Sequence, residues 1–414
     1  MLAIIGAGPA GLAAALEAHK EGIKDIVIFE RAKEPGGILL QCIHTGFGLH
    51  YFNEEISGPE YAARFSEAIK DTDIKLICDT MVTSISKDLE IIAMNKKDGL
   101  MKFKADAIIL AMGCRERPRG ALNIYGTRPS GIMTAGAAQE YINIKGYMPG
   151  KKCVILGSGD IGLIMARRMT LEGAKVEAVC ELLPFSGGLK RNIVQCLDDY
   201  GIPLRLSTTV VCVHGKERLE GVTIAKVDDK LQPIPDTEEY IECDTLLLSV
   251  GLIPENELSQ LAGIKIDPVT KGPVVSDTRE TSISGIFACG NVLQVHDLVD
   301  FVTLESQVAG KAAAEFIKNR NLKNEFAKVV PGERVRYIVP QKVSLPVTEE
   351  LTFYFRVTNE FDNMIVSLSV NDKEIYSKKK RKLAPGEMEN LKIKTELFEN
   401  LTSDDVIEIK VKEK

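Results

Sequence analysis

The sequence holds nine cysteines but no Cys-x-x-Cys pair. Scattered single cysteines argue against a zinc ribbon or a disulfide framework, and they fit a reducing compartment. No apolar run approaches the roughly 18 residues that cross a bilayer as a helix. Positive charge is not in excess either: the net charge is −6. That balance gives no reason to expect nucleic acid or an anionic membrane as partner. Met1 to Leu16 has the apolar character of a secretion signal, but no basic residue precedes it, so a cytoplasmic protein is expected. What is present is an ordinary globular balance, 45% hydrophobic and 27% charged over 414 residues, long enough for two or three domains.

The first thirty residues carry the strongest local pattern. Leu2-Ala3-Ile4-Ile5 reads as a buried strand, and Gly6-Ala7-Gly8-Pro9-Ala10-Gly11 follows at once. Leu12 to Glu21 reads as a helix, and Ile26-Val27-Ile28-Phe29 as a second strand ending in Glu30. This is a βαβ unit with a dinucleotide fingerprint in its first turn. Gly6 permits the tight turn, Gly8 lets a pyrophosphate approach the backbone, and Gly11 lets the helix lie close to the sheet. The free N–H groups and partial positive charge of the helix N-terminus suit the pyrophosphate. Glu30 stands 19 residues after Gly11, near the spacing expected of a carboxylate that binds the adenosine ribose.

The pattern returns. Lys152 to Leu156 is a strand, Gly157-Ser158-Gly159-Asp160-Ile161-Gly162 the turn, Leu163 to Glu172 a helix, and Val176 to Cys180 a strand ending in Glu181. Glu181 again stands 19 residues after the third glycine, and Gly36-Gly37 is matched by Gly187-Gly188, every pair offset by 151 residues. Two units in one register imply two nucleotide-binding domains. Ala105–Gly113 and Thr245–Gly251 each read as a strand closing into a turn, where the chain is expected to cross between domains. Gly285 to Asn291 reads as a further strand and turn, and Leu304 to Ile317 as a helix.

After about Val330 the pattern changes. Leu351–Val357, Ile365–Val370, Leu391–Ile393 and Val406–Val411 alternate, with turns at Asn371-Asp372 and Pro385-Gly386. This reads as a small all-β module with its own core, a docking or dimerisation unit whose removal is expected to leave the remainder intact. Lys378-Lys379-Lys380-Arg381-Lys382 has two readings, a polyanion or nuclear-import patch and a charge-protected strand or turn; the second is favoured.

With both units in place, the chain resembles the two-dinucleotide-binding flavoproteins, the superfamily of the thioredoxin and glutathione reductases and the NADH oxidases. The resemblance covers roughly residues 1–327. It implies an α/β fold of two Rossmann-like domains plus the β-module: a discontinuous FAD domain over 1–118 and 252–328, an inserted NAD(H) domain over 119–251, and the module over 330–414. It implies that FAD is held by Gly6, Gly8, Pro9, Ala10, Gly11, Glu30, Arg31, Gly37, Gln41, Gly113, Gly290, Asn291 and Thr303. NAD(H) falls to Gly157, Gly159, Asp160, Ile161, Gly162, Glu181 and Gly251. Asn291 replaces the aspartate that usually holds the flavin ribityl chain; its amide keeps an acceptor oxygen without the charge. A helix starting near Thr303 is expected to aim its N-terminus at the flavin, with His296, Asp297 and Asp300 just before it.

A narrower resemblance lies in Gln41–Gly48, Gly58–Ala62, Gly126–Pro129 and His296–Phe301. These look like FAD-linked subunits of multi-component dehydrogenases, and best like the NAD(H)-linked flavoprotein that accompanies a glycerol-3-phosphate-dehydrogenase-like partner. Ala135 and Ala138 stand where thioredoxin reductases have their dithiol, and Gly36-Gly37 is followed by one cysteine, Cys42. Two readings of Cys42 stand: a sulfenic-acid centre whose thiolate is stabilised by His44, and a small residue lining the flavin pocket, which is favoured. Three functions follow. The first is hydride exchange between NAD(H) and FAD with electrons passed to or from a partner dehydrogenase subunit. The second is a free-standing NADH oxidase or peroxidase using Cys42. The third is a flavin-binding docking subunit without catalysis.

Overall fold

The computed structural model describes residues 1–319 and 325–413. The chain forms two compact units. One comprises Met1–Cys114 and Pro254–Lys414, the other Arg115–Ile253. The crossings therefore fall a few residues from the expected 118/119 and 251/252.

The first unit is built on a five-stranded parallel sheet of Ile286–Ala288, Ala107–Leu110, Leu2–Ile5, Ile26–Phe29 and Lys75–Ile77, in that spatial order. The central strands are apolar at every position because both faces are covered. Leu2, Ile4, Ile26, Ile28 and Ile109 pack on the helical face. Ala3, Ile5, Val27, Phe29 and Ile108 pack on the other. Two helices cover the first face, Pro9–Lys20 and Val299–Asn319. They approach so closely at Gly310 that a Cβ there would stand 2.3 Å from the Ala14 carbonyl oxygen. The second helix starts at Val299, one turn before the expected Thr303, because Asp300 anchors its first turn.

The second unit repeats the plan. Its five-stranded sheet runs Ile132–Thr134, Thr245–Leu248, Lys152–Leu156, Lys175–Cys180, Leu204–Arg205, all parallel. Helix Asp160–Leu171 follows the fingerprint turn. An antiparallel group including Thr208–His214, Gly221–Lys226 and Glu239–Glu242 is appended.

The C-terminal region is all β, in sheets of five and three strands, beginning at Phe326 rather than 330. Its interior, including Phe353, Phe355, Leu368 and Ile409, is a core of its own. The module is nonetheless joined to the body of the first unit. Val339 is buried in the core of the first unit's body, not in that of the module. Gln341 exchanges two hydrogen bonds with Val275, its N–H to the Val275 carbonyl at 3.1 Å and its Oε1 from the Val275 N–H at 3.0 Å. The Ser344 N–H donates to Asp277 at 2.7 Å. The basic run lies on Lys373–Leu383, an edge strand paired on one side with Phe361–Val370. Lys380 is paired with Glu389 while Lys378, Lys379, Arg381 and Lys382 are exposed, the arrangement of a charge-protected edge. Asn371 and Asp372 both have positive φ, as a two-residue hairpin turn requires.

The contact at Gly310 sets a test of the packing. Gly310→Leu gains about 1 kcal/mol of helix propensity. Forcing a side chain into the Ala14 backbone costs more, so a net loss of about 2 kcal/mol is expected in urea unfolding. A more stable variant would contradict the close approach.

Candidate functional site

Each fingerprint turn is closed by its acid. In the first unit Glu30 is 7% exposed, and its Oε2 accepts the Ala7 N–H at 2.7 Å. Its Oε1 accepts the Ala32 N–H, also at 2.7 Å. In the second, Glu181 is 8% exposed, and its Oε2 accepts the Ser158 N–H at 2.8 Å. Its Oε1 accepts the Leu183 N–H at 3.0 Å. The four bonds match pair by pair at the offset of 151 residues, so the repeat legible in the sequence is also a repeat of hydrogen bonding.

The glycines act as their spacing implies. Gly6 has φ +104°, and a Cβ there would stand 2.5 Å from the Ala111 carbonyl oxygen. Gly11 presses on the Gly6 carbonyl, where a Cβ would lie at 1.9 Å. At Gly8, by contrast, a Cβ would meet nothing within 4 Å. Gly8 caps the helix without any side-chain hydrogen bond, so the open space lies against unblocked N–H groups. Gly159 is the same, with only Ser249 near, at 3.4 Å or more, and again no side-chain cap. Both units thus leave room at the glycine where a pyrophosphate must approach, with a buried carboxylate at the end of the second strand. These residues fit two dinucleotides.

Other expected residues gather around the first turn. Gly37, at φ +58°, lies over it, its Cβ position 3.0 Å from the Gly8 Cα, while the Gly36 N–H donates to the Ala7 carbonyl at 2.8 Å. Gly290 abuts Ala10. Gly113 has positive φ with open space beside it at the end of its strand, as does Gly251 in the second unit. Pro9 opens the helix, and Gln41 ends the short 3-10 helix Gly37–Gln41. Arg31 is exposed. Thr303 is buried with its hydroxyl 2.7 Å from that of Tyr61.

One group of this region was not foreseen. Glu305 is fully buried and accepts from Gly290 N–H at 3.0 Å and Gln294 Nε2 at 2.8 Å. It also faces His296 Nε2 at 2.9 Å and Arg279 Nε at 3.4 Å. Burial by itself raises its carboxyl, but the His296 and Arg279 charges and the hydrogen bonds outweigh this and hold it below the usual range. Asp300 accepts backbone N–H groups from Gly48, His50 and Tyr51 at 2.8–3.2 Å. Asn291 Oδ1 accepts the His296 N–H at 3.0 Å, and its amide reaches Cys114 Sγ at 3.5 Å. Segments far apart in sequence, Gln41–Gly48, Gly58–Ala62 and His296–Phe301, are therefore brought into one place.

Cys42 caps the 3-10 helix at its C-terminal end against Gly58, whose N–H donates to the Cys42 carbonyl at 2.9 Å. Its thiol donates to the Ile38 carbonyl at 3.3 Å, and burial pushes its pKa up to about 12. A thiolate is therefore disfavoured there. His44 packs at a tilt on Phe47, with ring centroids 5.1 Å apart. No disulfide joins any of the nine cysteines, all of them described residues, and Ala135 and Ala138 are buried in helix Ala135–Asn143.

In the second unit Ser158 is the residue that sequence reasoning missed. Its hydroxyl donates to Glu181 at 2.6 Å and accepts the Gly187 N–H at 3.1 Å. Asp160 holds the same loop, accepting Leu189 N–H at 2.8 Å and Asn192 Nδ2 at 2.7 Å. The Ser186–Leu189 loop thus folds back over the fingerprint turn, with Lys190 and Arg191 exposed at its end. Ile161 lies in the first turn of the helix, and Gly162 donates its N–H to Ser249 Oγ at 3.1 Å.

Comparison with known proteins agrees with this geometry. Residues 1–315 match the family model described as pyridine nucleotide-disulphide oxidoreductase. An opine oxidase subunit from Agrobacterium tumefaciens is 25% identical over 316 residues, which is 70% of this chain and 60% of that protein. Hydrogen cyanide synthase subunit HcnB of Pseudomonas protegens is 25% identical over 284 residues, 63% of this chain and 58% of that one. The chain spans about three fifths of the length of these relatives. Among solved structures, thioredoxin reductase of T. acidophilum superposes with a TM-score of 0.62 at 24% identity, covering 76% of this chain and 97% of that one. The NAD-dependent persulfide reductase from A. fulgidus does so at 0.59 and 19%, covering 91% and 70%. Among the described residues no helix is long and apolar enough to cross a membrane. With its family model matched over most of its length, the chain belongs to the pyridine nucleotide-disulphide oxidoreductases, a family of FAD- and NAD(P)-binding enzymes.

Proposed function

We propose that the protein is an FAD-dependent NAD(H) oxidoreductase that exchanges electrons with a partner dehydrogenase subunit, best matched by a glycerol-3-phosphate-dehydrogenase-like protein. Residues 1–118 and 252–328 form its FAD domain and residues 119–251 its NAD(H) domain. The observation that carries the reading is the matched bonding of Glu30 and Glu181 to their own fingerprint turns, beside open space at Gly8 and Gly159. Bound FAD supplies an isoalloxazine that takes a hydride from the nicotinamide or returns it.

The chain's part is binding and orientation. Glu30 keeps lone pairs beyond those used by Ala7 and Ala32, and these receive the ribose hydroxyls. Gly8 and the first N–H groups of helix Pro9–Lys20 take the pyrophosphate. Asn291, fixed by His296, offers its amide to the ribityl chain. Gly157, Gly159, Gly162 and Glu181 act likewise toward NAD(H). A partner subunit is supported by the relatives, two of which are named as subunits of larger enzymes. Self-association remains compatible with it. Scattered cysteines with no Cys-x-x-Cys pair support a cytoplasmic setting.

The oxidase or peroxidase reading needs a Cys42 thiolate, and burial of that thiol works against it. Cys42→Ser is expected to keep NADH-driven dye reduction within a few-fold. A loss of about a thousandfold, near 4 kcal/mol in barrier, would restore the thiol mechanism.

The nicotinamide cofactor is NAD(H) rather than NADP(H). A 2′-phosphate would stand beside the Glu181 carboxylate, and two such charges about 5 Å apart repel by roughly 3 kcal/mol at an effective dielectric near 20. Leu182, Leu183, Pro184 and Phe185 offer no cation to offset it. In steady-state kinetics kcat/KM for NADH is expected to exceed that for NADPH by at least about tenfold, and Glu181→Ser to shrink the ratio. Equal use of both by the unmodified protein would overturn the assignment and point to Lys190 and Arg191.

A further inference from the structure

We propose that the β-module is a working part of the flavin site and that Arg356 is its positioning residue, holding the Asn291–Asp300 segment through Asp297. The inference rests on the FAD reading above and goes beyond it, since the module lies outside the residues matched to the family.

Arg356 lies in the module strand Leu351–Val357. Its guanidinium is ion-paired with Asp297, and both side chains are largely buried, at 13% and 15% exposed. The same guanidinium donates to the Val295 carbonyl at 3.2 Å, the Pro385 carbonyl at 3.0 Å and the Tyr337 hydroxyl at 3.1 Å. The second carboxylate oxygen of Asp297 accepts the N–H of Met388, another module residue, at 2.5 Å. Both oxygens of Asp297 are thus held by the module. Beside Asp297 in the chain, the His296 ring meets the Tyr354 ring of the module in a T-shaped contact, with centroids 5.5 Å apart and planes at 84°. On its other side His296 holds Asn291 Oδ1 by its N–H and Glu305 by its ring. Glu305 in turn takes the Gly290 N–H. A continuous set of contacts therefore runs from Arg356 through Asp297 and His296 to Gly290 and Asn291, the turn assigned to FAD.

A surface ion pair would add little, but a buried one whose partner is removed leaves a desolvated charge behind. Without Arg356, Asp297 has that charge uncompensated, and the cheapest relief is for its segment to move toward water. That movement takes His296 from Asn291. A module that only adds stability predicts something different: a lower melting temperature with the flavin site unchanged.

The experiment measures the FAD dissociation constant of the full-length protein by flavin fluorescence, well below the melting temperature, with circular dichroism to confirm folding. Arg356→Met is expected to raise the constant at least about tenfold. Arg356→Lys, which keeps the charge and loses the fork, should recover part of it. Lys379→Met on the exposed edge should match the unmodified protein. If Arg356→Met does not fold, Asp297→Asn is read by the same criterion, because it keeps the side-chain shape and removes the ion pair. A folded variant that melts earlier but binds FAD within twofold of the unmodified protein overturns the proposal while leaving the cofactor reading intact. An unmodified protein that takes up no FAD overturns both.

Discussion

The structure depends on one hydrogen bond made twice. The carboxylate that ends the second strand of each βαβ unit accepts the second N–H of its own glycine turn, Ala7 in one unit and Ser158 in the other. Charge-assisted bonds of this kind are stronger than neutral ones, on the order of 1.5–3 kcal/mol each. The bond fixes the turn so that Gly8 faces open space and Gly159 meets only Ser249, whose hydroxyl takes the Gly162 N–H. It also holds the acid where, on the proposed reading, a ribose would arrive. Gly6, Gly11, Gly157 and Gly162 exist to let the strand, turn and helix come close enough for it.

The two units then diverge around this shared core. In the second, Ser158 ties Glu181 to the Gly187 loop, so three donors occupy the carboxylate rather than two. In the first, the later part of the chain returns to the turn, and the buried Glu305 gathers Gly290, Gln294, His296 and Arg279 behind it. The β-module closes on the outer side of that segment through Arg356 and Tyr354. On the reading proposed above, the flavin site draws on elements that begin at residue 2 and end beyond residue 350.

Much of this was legible in the sequence. The two fingerprints, their acids, the strands Leu2–Ile5 and Ile26–Phe29, and the β character of the C-terminal region depend on local pattern, and local pattern suffices to find them. Glu305 was not legible. Within Leu304 to Ile317 it reads as one solvent-facing acid of an amphipathic helix, and its burial depends on Arg279 and His296, which meet it only after folding. Ser158 hid inside the fingerprint, where Ala7 stands in the first unit. The start of the long helix was misplaced because Asp300 is held by backbone groups of Gly48, His50 and Tyr51, some 250 residues earlier. Alternation showed that the module has a core of its own. It was silent on Val339 and Gln341, which join the module to the body.

The central claim is that one chain carries a flavin and accepts reducing equivalents from NADH. The most direct test is anaerobic addition of NADH to the FAD-loaded protein, following the flavin absorbance in a rapid-mixing spectrophotometer. The account predicts that the absorbance bleaches with about one NADH consumed per flavin. Flavin that stays oxidised under excess NADH, in protein shown to be folded and FAD-loaded, would contradict it.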